Sequence, residues 1–443
     1  MPNKTLRRRR PDRPRQLAYR IVRAVTGADA YANLETARVL AEARLEARDA
    51  AFVTELVSGT CRLRGTYDRI LAAASGRPRF DPPLADALAL GVHQLLSMRV
   101  PTHAALSATV DLAAASVGEK VAGLTNAVLR KVAARDLDAW VVELSRGEDE
   151  IGRLALRTHH PRWIVEAYAD LLGEEAEAAL ATNNVAPLTT LVVRPGLAEV
   201  AELDGEPTAF SPFGARRAGN PADLPAVQTG RAGVQDEGSQ LVAWALSLAD
   251  APAGPWLDLC AGPGGKAALL AGLAAATGER LLASELQPHR AALVHENLRG
   301  YHPAPVVIAA DGTRPAWPSG TFARVMADVP CTGLGALRRR PESRWRRTPA
   351  HLAELVALQR RLLAGALDSA APGGVVAYVT CSPHRAETEQ VVDAVLAARD
   401  DVDILDAPAL LPAVPDAARG SFLQLWPHRH GTDAMFCALL RRR

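Results

Sequence analysis

Two of the five cysteines stand where the sequence predicts the end of a buried strand. Cys331 follows the apolar run 323–330 (ARVMADVP), and Cys381 lies near the end of the run 373–382 (GGVVAYVTCS). A thiol has an ordinary pKa of about 8.5, and a basic environment increases the fraction present as nucleophilic thiolate. The arginines that follow Cys331 would supply such an environment. Both cysteines are therefore candidate nucleophiles, although buried cysteine more often serves only as a small apolar side chain.

A glycine-rich turn, 258–266 (DLCAGPGGK), follows another predicted strand. Gly262, Gly264 and Gly265 allow a sharp turn and a close approach of the backbone to a ligand, and the helix that follows offers free N–H groups at its start. The turn matches neither the GxGxxG fingerprint nor the GxxxxGK[ST] phosphate loop. Taken alone, it could also be a mere tight connection.

Acidic residues follow three further predicted strands. Glu285 ends the second strand, Asp311 follows the third and Asp328 ends the fourth. Each of them alone is more often a cap or a turn residue. Together they favour a ligand site, because ligands of doubly wound sheets bind at the carboxyl ends of the strands. A carboxylate at Glu285 would suit ribose hydroxyls.

Lys266 closes the glycine-rich turn, and it is one of only four lysines among 51 basic residues. A compact ammonium on a flexible stem is not interchangeable with a guanidinium. Two interpretations remain open at this point: a lysine of the site, or a surface lysine at the start of a helix.

Four segments are predicted from the pattern of apolar residues. Residues 1–15 form a basic, disordered tail, and 16–140 repeat apolar residues at helical spacing and predict an all-α domain. Residues 141–240 are expected to hold a linker and a small α/β subdomain. From 241 to 443, short apolar runs alternate with helical segments, which predicts a parallel α/β sheet covered on both faces. The predicted fold class is therefore multidomain, all-α followed by α/β.

The bulk composition excludes several classes of protein. Of the 443 residues, 48% are apolar, the formal charge is +2, and the five cysteines contain no CxxC pair. This argues against a disulfide framework or a zinc site, so we expect no metal. We find neither a secretory signal nor an apolar run of about 20 residues. The expectation is a soluble, cytoplasmic protein without a membrane partner.

Basic residues cluster in two places, in the tail and after Cys331. Such runs are usually solvated faces. The second cluster borders the candidate active site, so we predict that it binds nucleic acid through Arg338, Arg339 and Arg340. The solvated-face interpretation stays open for both clusters.

These motifs resemble those of the RsmB/Sun family of bacterial 16S ribosomal RNA cytosine-5 methyltransferases, which are kin of the Nop2/NSun enzymes. The resemblance covers nearly the whole chain. The helical region is similar to the NusB-like RNA-binding domain of bacterial members, and the C-terminal part to a Rossmann-like class I methyltransferase. The segments that carry the resemblance are 48–62, 126–131, 234–243, 258–266, 328–342, 380–389 and 430–440.

The resemblance implies S-adenosylmethionine as cofactor. It also implies the residues that bind it, which are Asp258, Cys260, Ala261, Gly262, Pro263, Gly264, Gly265, Lys266, Glu285, Arg290, Asp311 and Asp328. The chain departs mildly from the family pattern: Glu285 stands for a usual Asp, Ala267 for Thr, Ala310 for Gly and Val329 for Ala. The longer arm of Glu285 leaves its contact with the ribose open.

The resemblance, and not the sequence pattern, separates the roles of the two cysteines. It implies that Cys381 attacks carbon 6 of cytosine and that Cys331 helps to release the product, with Asp328 and Lys266 as further catalytic residues. Thiolate addition is needed because carbon 5 of cytosine is too poor a nucleophile to take a methyl group unaided; covalent catalysis divides one hard step into easier ones.

The sequence bears on three alternative functions. A DNA cytosine methyltransferase would use its Pro-Cys cysteine, here Cys331, as nucleophile, but the sequence lacks the Glu-Asn-Val motif of that class. A non-catalytic RNA-binding assembly factor would not be expected to keep both cysteines and Asp328. The same chemistry on transfer RNA remains an alternative. The expected partner is 16S ribosomal RNA or an early small-subunit particle, bound by a monomer.

Overall fold

The computed structural model describes residues 11–443, so residues 1–10 of the predicted basic tail lie outside the described residues. The first helix begins at Arg13, and residues 13–15 therefore belong to a helix and not to the tail. Asp12 explains this start: its side chain accepts a hydrogen bond of 3.0 Å from the backbone N–H of Arg15. Pro14 in the first turn costs no hydrogen bond there.

The chain divides into two compact units. The helical unit runs to Asn184 and also includes Leu337–Arg346; the second unit comprises Val185–Ala336 and Arg347–Arg443. The helices before Asn184 are α1 Arg13–Gly27, α2 Ala32–Ala43, α3 Ala47–Ser75, α4 Pro82–Leu96, α5 Thr102–Ser116, α6 Ala122–Val132, α7 Leu137–Leu144, α8 Glu150–Thr158, α9 Arg162–Leu172 and α10 Ala176–Thr182. The predicted all-α character of the N-terminal region is confirmed.

Residues 141–184 belong to the helical unit and are not a linker. The reason is that helices α8 to α10 carry apolar faces of their own. Leu156 on α8, Ile164 and Tyr168 on α9 and Leu180 on α10 are all buried. Burial of such faces keeps the three helices in the unit, because each face must be shielded from water.

The second unit begins with a small antiparallel sheet. Its strands are β1 Thr189–Val193, β2 Glu206–Pro207, β3 Gly214–Arg217 and β4 Ala232–Val234, with the short helix α11 Pro225–Gln228 between β3 and β4. The strands lie in the order β2-β3-β1-β4. A small subdomain with strands was expected in this region.

The rest of the second unit is built on one large sheet. In chain order its elements are α12 Glu237–Leu248, β5 Trp256–Asp258, α13 Gly265–Ala276, β6 Leu281–Glu285, α14 Pro288–Asn297, β7 Val306–Ala309, β8 Phe322–Asp328, α15 Ser343–Arg346 (which lies in the helical unit), α16 Pro349–Ser369, β9 Ala370–Thr380, α17 Glu389–Leu396, β10 Val402–Leu405, β11 Ala418–Arg419, β12 Phe422–Gln424, α18 Pro427–His430 and β13 Phe436–Arg442. The predicted α/β fold class is confirmed.

The order of the strands fixes where a ligand site must lie. The sheet runs β11-β12-β13-β9-β8-β5-β6-β7, with β10 on β13. Strands β9, β8, β5, β6 and β7 are parallel, whereas β13 and its other neighbours pair antiparallel. After β5 the chain adds β6 and β7 on one side of it and then crosses to add β8 on the other side. This is the switch point of a doubly wound sheet, at whose carboxyl edge ligands bind.

Apolar side chains cover both faces of this sheet. One cluster packs α12 and α13 on one face, and the other packs α16 and α17 on the opposite face. Among the helices of residues 11–443, none combines the length and the apolar character needed to cross a membrane.

Gly272, on α13, tests the packing that fixes the glycine-rich turn. Alanine ordinarily stabilises a helix relative to glycine by about 1 kcal/mol. At Gly272 a Cβ would lie 2.6 Å from the Pro195 carbonyl oxygen and 2.6 Å from Tyr301 Oη. We therefore expect Gly272→Ala to destabilise α13 by about 1–3 kcal/mol, as in other overpacked cores.

The control is Gly123→Ala on α6, where an added Cβ would meet open space. This variant should stabilise its helix slightly. Hydrogen exchange of α13 and α6 measures the two effects separately; a stabilised α13 in Gly272→Ala would contradict the packing described.

Candidate active site

The carboxyl ends of four neighbouring parallel strands supply the predicted site residues. Asp258 ends β5, Glu285 ends β6, Asp328 ends β8, and Cys381 directly follows β9. Cys331 lies in the loop after β8. The register of the parallel strands places these ends at one edge of the sheet.

The two cysteines that the sequence singled out lie side by side. Their sulfur atoms are 3.4 Å apart. Backbone bonds hold the two loops together, because Val329 N donates to the Val379 carbonyl over 3.1 Å and Gly335 N donates to the Cys381 carbonyl over 2.8 Å. Two thiols at this distance can act on the same substrate atom or on neighbouring atoms of one ring.

A buried carboxylate, Glu387, joins the two loops. Its Oε1 accepts hydrogen bonds from Thr332 N over 2.7 Å and from Gln359 Nε2 over 2.9 Å, and its Oε2 accepts one from Thr332 Oγ1. Thr332 Oγ1 also lies 3.1 Å from Ser382 Oγ. The sequence motif included Glu387 without revealing this function, and it gave no sign of Gln359.

The surroundings of Cys331 are acidic and not basic, which corrects the sequence-based expectation. The hydrogen bond with Cys381 is the largest cause that raises the pKa of Cys331 well above its ordinary value, followed by burial and by the charges of Glu387 and Asp328. Each of these favours the neutral thiol. The arginines at 338–346 belong to the helical unit.

Lys266 is not a surface lysine. Its ammonium donates to Asp328 Oδ2 over 2.8 Å and to Ser239 Oγ over 3.1 Å, and its side chain is only 12% exposed. Burial lowers the pKa of Lys266, but the charge of Asp328 and the hydrogen bond to it outweigh that effect, so the pKa is raised. A negative charge on Cys381 would favour the ammonium further.

The glycine-rich turn is held from outside by side chains of β6 and α14. Glu285 Oε2 accepts from Gly262 N over 3.1 Å, Arg290 Nη2 donates to the Gly262 carbonyl over 2.7 Å, and Asn297 Nδ2 donates to the Pro263 carbonyl over 2.9 Å. Gly264 has φ +112°, which favours glycine. The longer side chain of Glu285 therefore contacts the glycine-rich turn itself.

Asp258 is a buried acid near the glycine-rich turn. Its side chain is 1% exposed, and within residues 11–443 neither carboxylate oxygen has a hydrogen-bond partner. Burial, and secondarily the charge of Asp328, raise the pKa of Asp258 to about 8. A buried, unpartnered acceptor fits a ligand that brings donors, as S-adenosylmethionine does with its ribose hydroxyls and its ammonium group.

The remaining predicted cofactor residues differ in their surroundings. Cys260 lies in the glycine-rich turn, and burial raises the pKa of its thiol well above the ordinary value. Ala261 is buried and donates its N–H to the Ser284 carbonyl over 2.9 Å. Asp311 is exposed, and its Oδ1 accepts bonds from the backbone and the side chain of Thr313. The structure thus places Asp311 in a local turn after β7.

The three predicted RNA-binding arginines lie in the helical unit and are not equivalent. Arg338 is buried, Arg339 is half-buried and Arg340 is exposed. The Arg340 guanidinium lies 4.8 Å from the centre of the Tyr31 ring. Burial makes Arg338 a poor candidate for contact with RNA, whereas Arg340 can make such a contact.

Comparisons with known families match both units. Residues 245–441 match the model of the family described as 16S rRNA methyltransferase RsmB/F. Residues 12–134 match the NusB family. The crystal structure of PH0851 is 22% identical and superimposes with a TM-score of 0.81, covering 98% of this chain and 100% of that chain. NSun6 from Pyrococcus horikoshii, solved with SFG, is 18% identical and gives a TM-score of 0.54 over 64% of this chain and 98% of its own. These likenesses show a shared fold.

Sequence relatives match over nearly their full length. A putative methyltransferase of Mycobacterium tuberculosis is 50% identical, covering 98% of both chains. Ribosomal RNA small subunit methyltransferase B of Pseudomonas syringae is 32% identical, covering 96% of both chains. The chain belongs to the RsmB/F family of 16S rRNA methyltransferases, with an N-terminal NusB-like domain and S-adenosylmethionine as cofactor.

Proposed function

We propose that this protein methylates carbon 5 of a cytosine in 16S ribosomal RNA, with Cys381 as nucleophile and Cys331 as the residue that releases the product. The observation that carries the proposal is the pair of sulfur atoms 3.4 Å apart, beside the ion pair of Lys266 and Asp328. When bound, S-adenosylmethionine supplies the methyl group. The chain's own residues must activate the base.

The charges around the two thiols favour Cys381 as the one that ionises. Lys266 and Cys381 attract each other electrostatically, and this favours a thiolate on Cys381. Cys331 faces Glu387 and Asp328, which oppose a second negative charge. The thiolate would add to carbon 6 of the base while the ring nitrogen takes up a proton from water. Asp328, which is paired with Lys266, is our candidate for the carboxylate that accepts a hydrogen bond from the protonated nitrogen.

Release of the product needs a base that removes the proton from carbon 5. The contact between Cys331 and Cys381 explains why Cys331 suits this role. Contact with Cys381 is the largest cause that raises the pKa of Cys331. Once Cys381 is bonded to carbon 6, its sulfur is an uncharged thioether, and that cause disappears. Cys331 can then lose its own proton to water and take the proton from carbon 5. The electrons of the carbon–hydrogen bond restore the ring double bond, and the Cys381 thiolate leaves.

For the cofactor we propose the residues of the glycine-rich turn and its neighbours, with different tasks. Asp258 would accept hydrogen bonds from the cofactor, because its buried carboxylate oxygens have no partner within residues 11–443. Glu285 and Arg290 would shape the turn that receives it. Asp311, in its exposed turn, would contribute at the rim of the site.

Substituting the cysteines tests their separate roles. Cys381→Ala should reduce methylation to background and trap no RNA, because no bond to carbon 6 forms. Cys331→Ala should accumulate a protein–RNA adduct that survives denaturation, because release is blocked. Denaturing gels of each variant with RNA and S-adenosylmethionine measure both effects.

Cys61→Ala, a substitution in the helical unit, is the matched control and should methylate normally. An adduct in Cys381→Ala and none in Cys331→Ala would reverse the two roles.

Asp258→Asn tests the buried carboxylate through pH. The pKa of Asp258 is about 8 in the folded chain, against about 3.9 when unfolded. The stability that the neutral carboxyl contributes is thus present below pH about 4 and is lost as the pH rises towards 8. Because Asn cannot ionise, the variant should gain on the wild type by up to about 1.4 kcal/mol for each pH unit within that range.

The measurement is the free energy of unfolding of the cofactor-free protein from pH 5 to pH 8. Asp311→Asn, at an exposed position, is the control and should show no such gain. If the difference between Asp258→Asn and the wild type does not change with pH, Asp258 is ionised throughout. Asp258→Asn should also bind S-adenosylmethionine about tenfold more weakly, because donors of the bound cofactor would favour the ionised carboxylate, which Asn cannot provide.

Arg340→Ala tests contact with RNA. If Arg340 binds a phosphate, the variant should reduce the slope of log K against log salt by about 1 and weaken binding of all RNA sequences alike. Arg146→Ala, at a side chain 74% exposed on the same unit, is the control. An unchanged slope would leave Arg340 as a solvated residue stacked on Tyr31.

Bisulfite sequencing of ribosomal and transfer RNA, from cells with and without the protein, tests the substrate. We expect the loss of one 5-methylcytosine from 16S ribosomal RNA. Loss from transfer RNA alone would keep the chemistry and replace the proposed substrate.

A further inference from the structure

The arginine-rich segment after Cys331 changes units. Residues up to Ala336 belong to the second unit, Leu337–Arg346 belong to the helical unit, and the chain returns to the second unit at Arg347. We call Leu337–Arg346 the strut segment. Cys331 lies only a few residues before the strut segment, so the position of the segment can affect the position of Cys331.

Arg344 anchors the strut segment by a buried charge. Its side chain is 0% exposed, and its guanidinium donates to the His159 carbonyl over 3.1 Å, to Asn184 Oδ1 over 2.7 Å and to the Asn183 carbonyl over 3.1 Å. These acceptors lie at the C-terminal ends of α8 and α10, where helix dipoles favour a cation. Burial, and then the charge of Arg62, lower the pKa of Arg344 to about 9.

Trp345 and Arg346 provide two more anchors. The Trp345 indole N–H donates to the Arg62 carbonyl over 3.1 Å, and its ring fills a notch at Gly65, where a Cβ would lie 2.2 Å from the ring. Arg346 donates to the backbone carbonyls of Val25, Asp29 and Ala30, over 3.0, 3.0 and 2.8 Å. Arg346 is thus the second guanidinium that anchors the strut segment, and it binds at the C-terminal end of α1.

The loop between Cys331 and the strut segment is fixed at the active site as well. Thr332 is bonded to Glu387, and Gly335 N donates to the Cys381 carbonyl over 2.8 Å. Gly335 also accepts a bond of 3.0 Å from Ala434 N. Bonds within the second unit therefore hold the start of this stretch beside Cys381, and bonds within the helical unit hold its end through the buried Arg344 and the half-buried Arg346.

We propose that the strut segment positions Cys331, so that the helical unit takes part in the release step and is more than a means of binding RNA. This inference rests on the proposed function. Arg344, Trp345 and Arg346 would be positioning residues, which act through the covalent chain and touch neither substrate nor cofactor. Carbonyl acceptors on three helix ends fit this task, because they bind a guanidinium in one fixed orientation.

The magnitude expected is set by how strictly the release step depends on geometry. A displacement of about 1 Å in a reacting group can lower a rate by about a hundredfold. Cys331 must reach the proton on carbon 5 while Cys381 remains bonded to carbon 6. A loosened strut segment should therefore slow release and leave RNA affinity unchanged.

Arg344→Lys is the variant of choice in the full-length protein. It keeps the charge, but one ammonium cannot reproduce the forked contact with three acceptors. Asn184→Ala removes only one acceptor and serves as the milder second variant. Arg157→Lys, at an exposed arginine paired with Glu177 on α8, is the matched control.

Two measurements decide the proposal. In single-turnover methylation at saturating RNA, Arg344→Lys should slow product release about ten- to a hundredfold and accumulate the adduct, with the RNA Kd unchanged. Independently of activity, alkylation of Cys331 by iodoacetamide, followed by peptide mass spectrometry, should be several times faster in Arg344→Lys and Asn184→Ala than in Arg157→Lys.

The outcomes separate this inference from the proposed function. Unchanged alkylation and unchanged release would overturn the strut segment as a positioning device, as would a change in RNA Kd alone. If the wild type forms no 5-methylcytosine, the proposed function fails, and the alkylation rates still decide whether the strut segment holds Cys331.

Discussion

The arrangement of the active site depends on one buried carboxylate. Glu387 is fully buried and accepts bonds from Thr332 and Gln359. It thereby joins the loop after β8 to the loop after β9, which carry the two cysteines. Removal of one partner from such a buried network leaves a polar group unsatisfied at a cost of about 1–3 kcal/mol. Together with the backbone bonds from Val329 and Gly335, this carboxylate holds the loops in which the two sulfur atoms lie 3.4 Å apart.

The switch point of the sheet explains why so many charges meet beside the thiols. Strand β5 lies between β6 and β8, so Asp258, Glu285 and Asp328 all reach the same edge. The protein treats each charge differently: Asp328 is paired with Lys266, Glu285 holds the glycine-rich turn, and Asp258 keeps unpartnered oxygens within the described chain. Burial without a partner costs free energy, and binding of a ligand with donors recovers it. Stability is thus given up where we propose that the cofactor binds.

Much of this could be predicted from the sequence, and the failures have physical reasons. Strand ends share one edge of a parallel sheet, so Cys331 and Cys381 could be brought together from pattern alone. The burial of an individual acid could not be predicted from the sequence. Glu285 and Asp311 both stand at predicted strand ends, yet Glu285 is buried and Asp311 is exposed. The same holds for arginines. Neighbouring arginines of one run look alike in the sequence. Yet Arg340 is exposed to solvent, whereas Arg344 is buried and donates hydrogen bonds at the ends of two helices.

The difference between the two thiols shows what the geometry adds to the resemblance. Pattern and spacing left their roles interchangeable, and a DNA-type assignment would have chosen Cys331 as nucleophile. The charges break this symmetry: Cys381 interacts with the Lys266 ammonium, whereas Cys331 faces the carboxylates of Glu387 and Asp328. Two thiols in contact cannot both ionise easily, so our proposal assigns the thiolate to the thiol beside the cation. Electrostatics thus supports, on independent grounds, the same order of attack and release that the family motif implies.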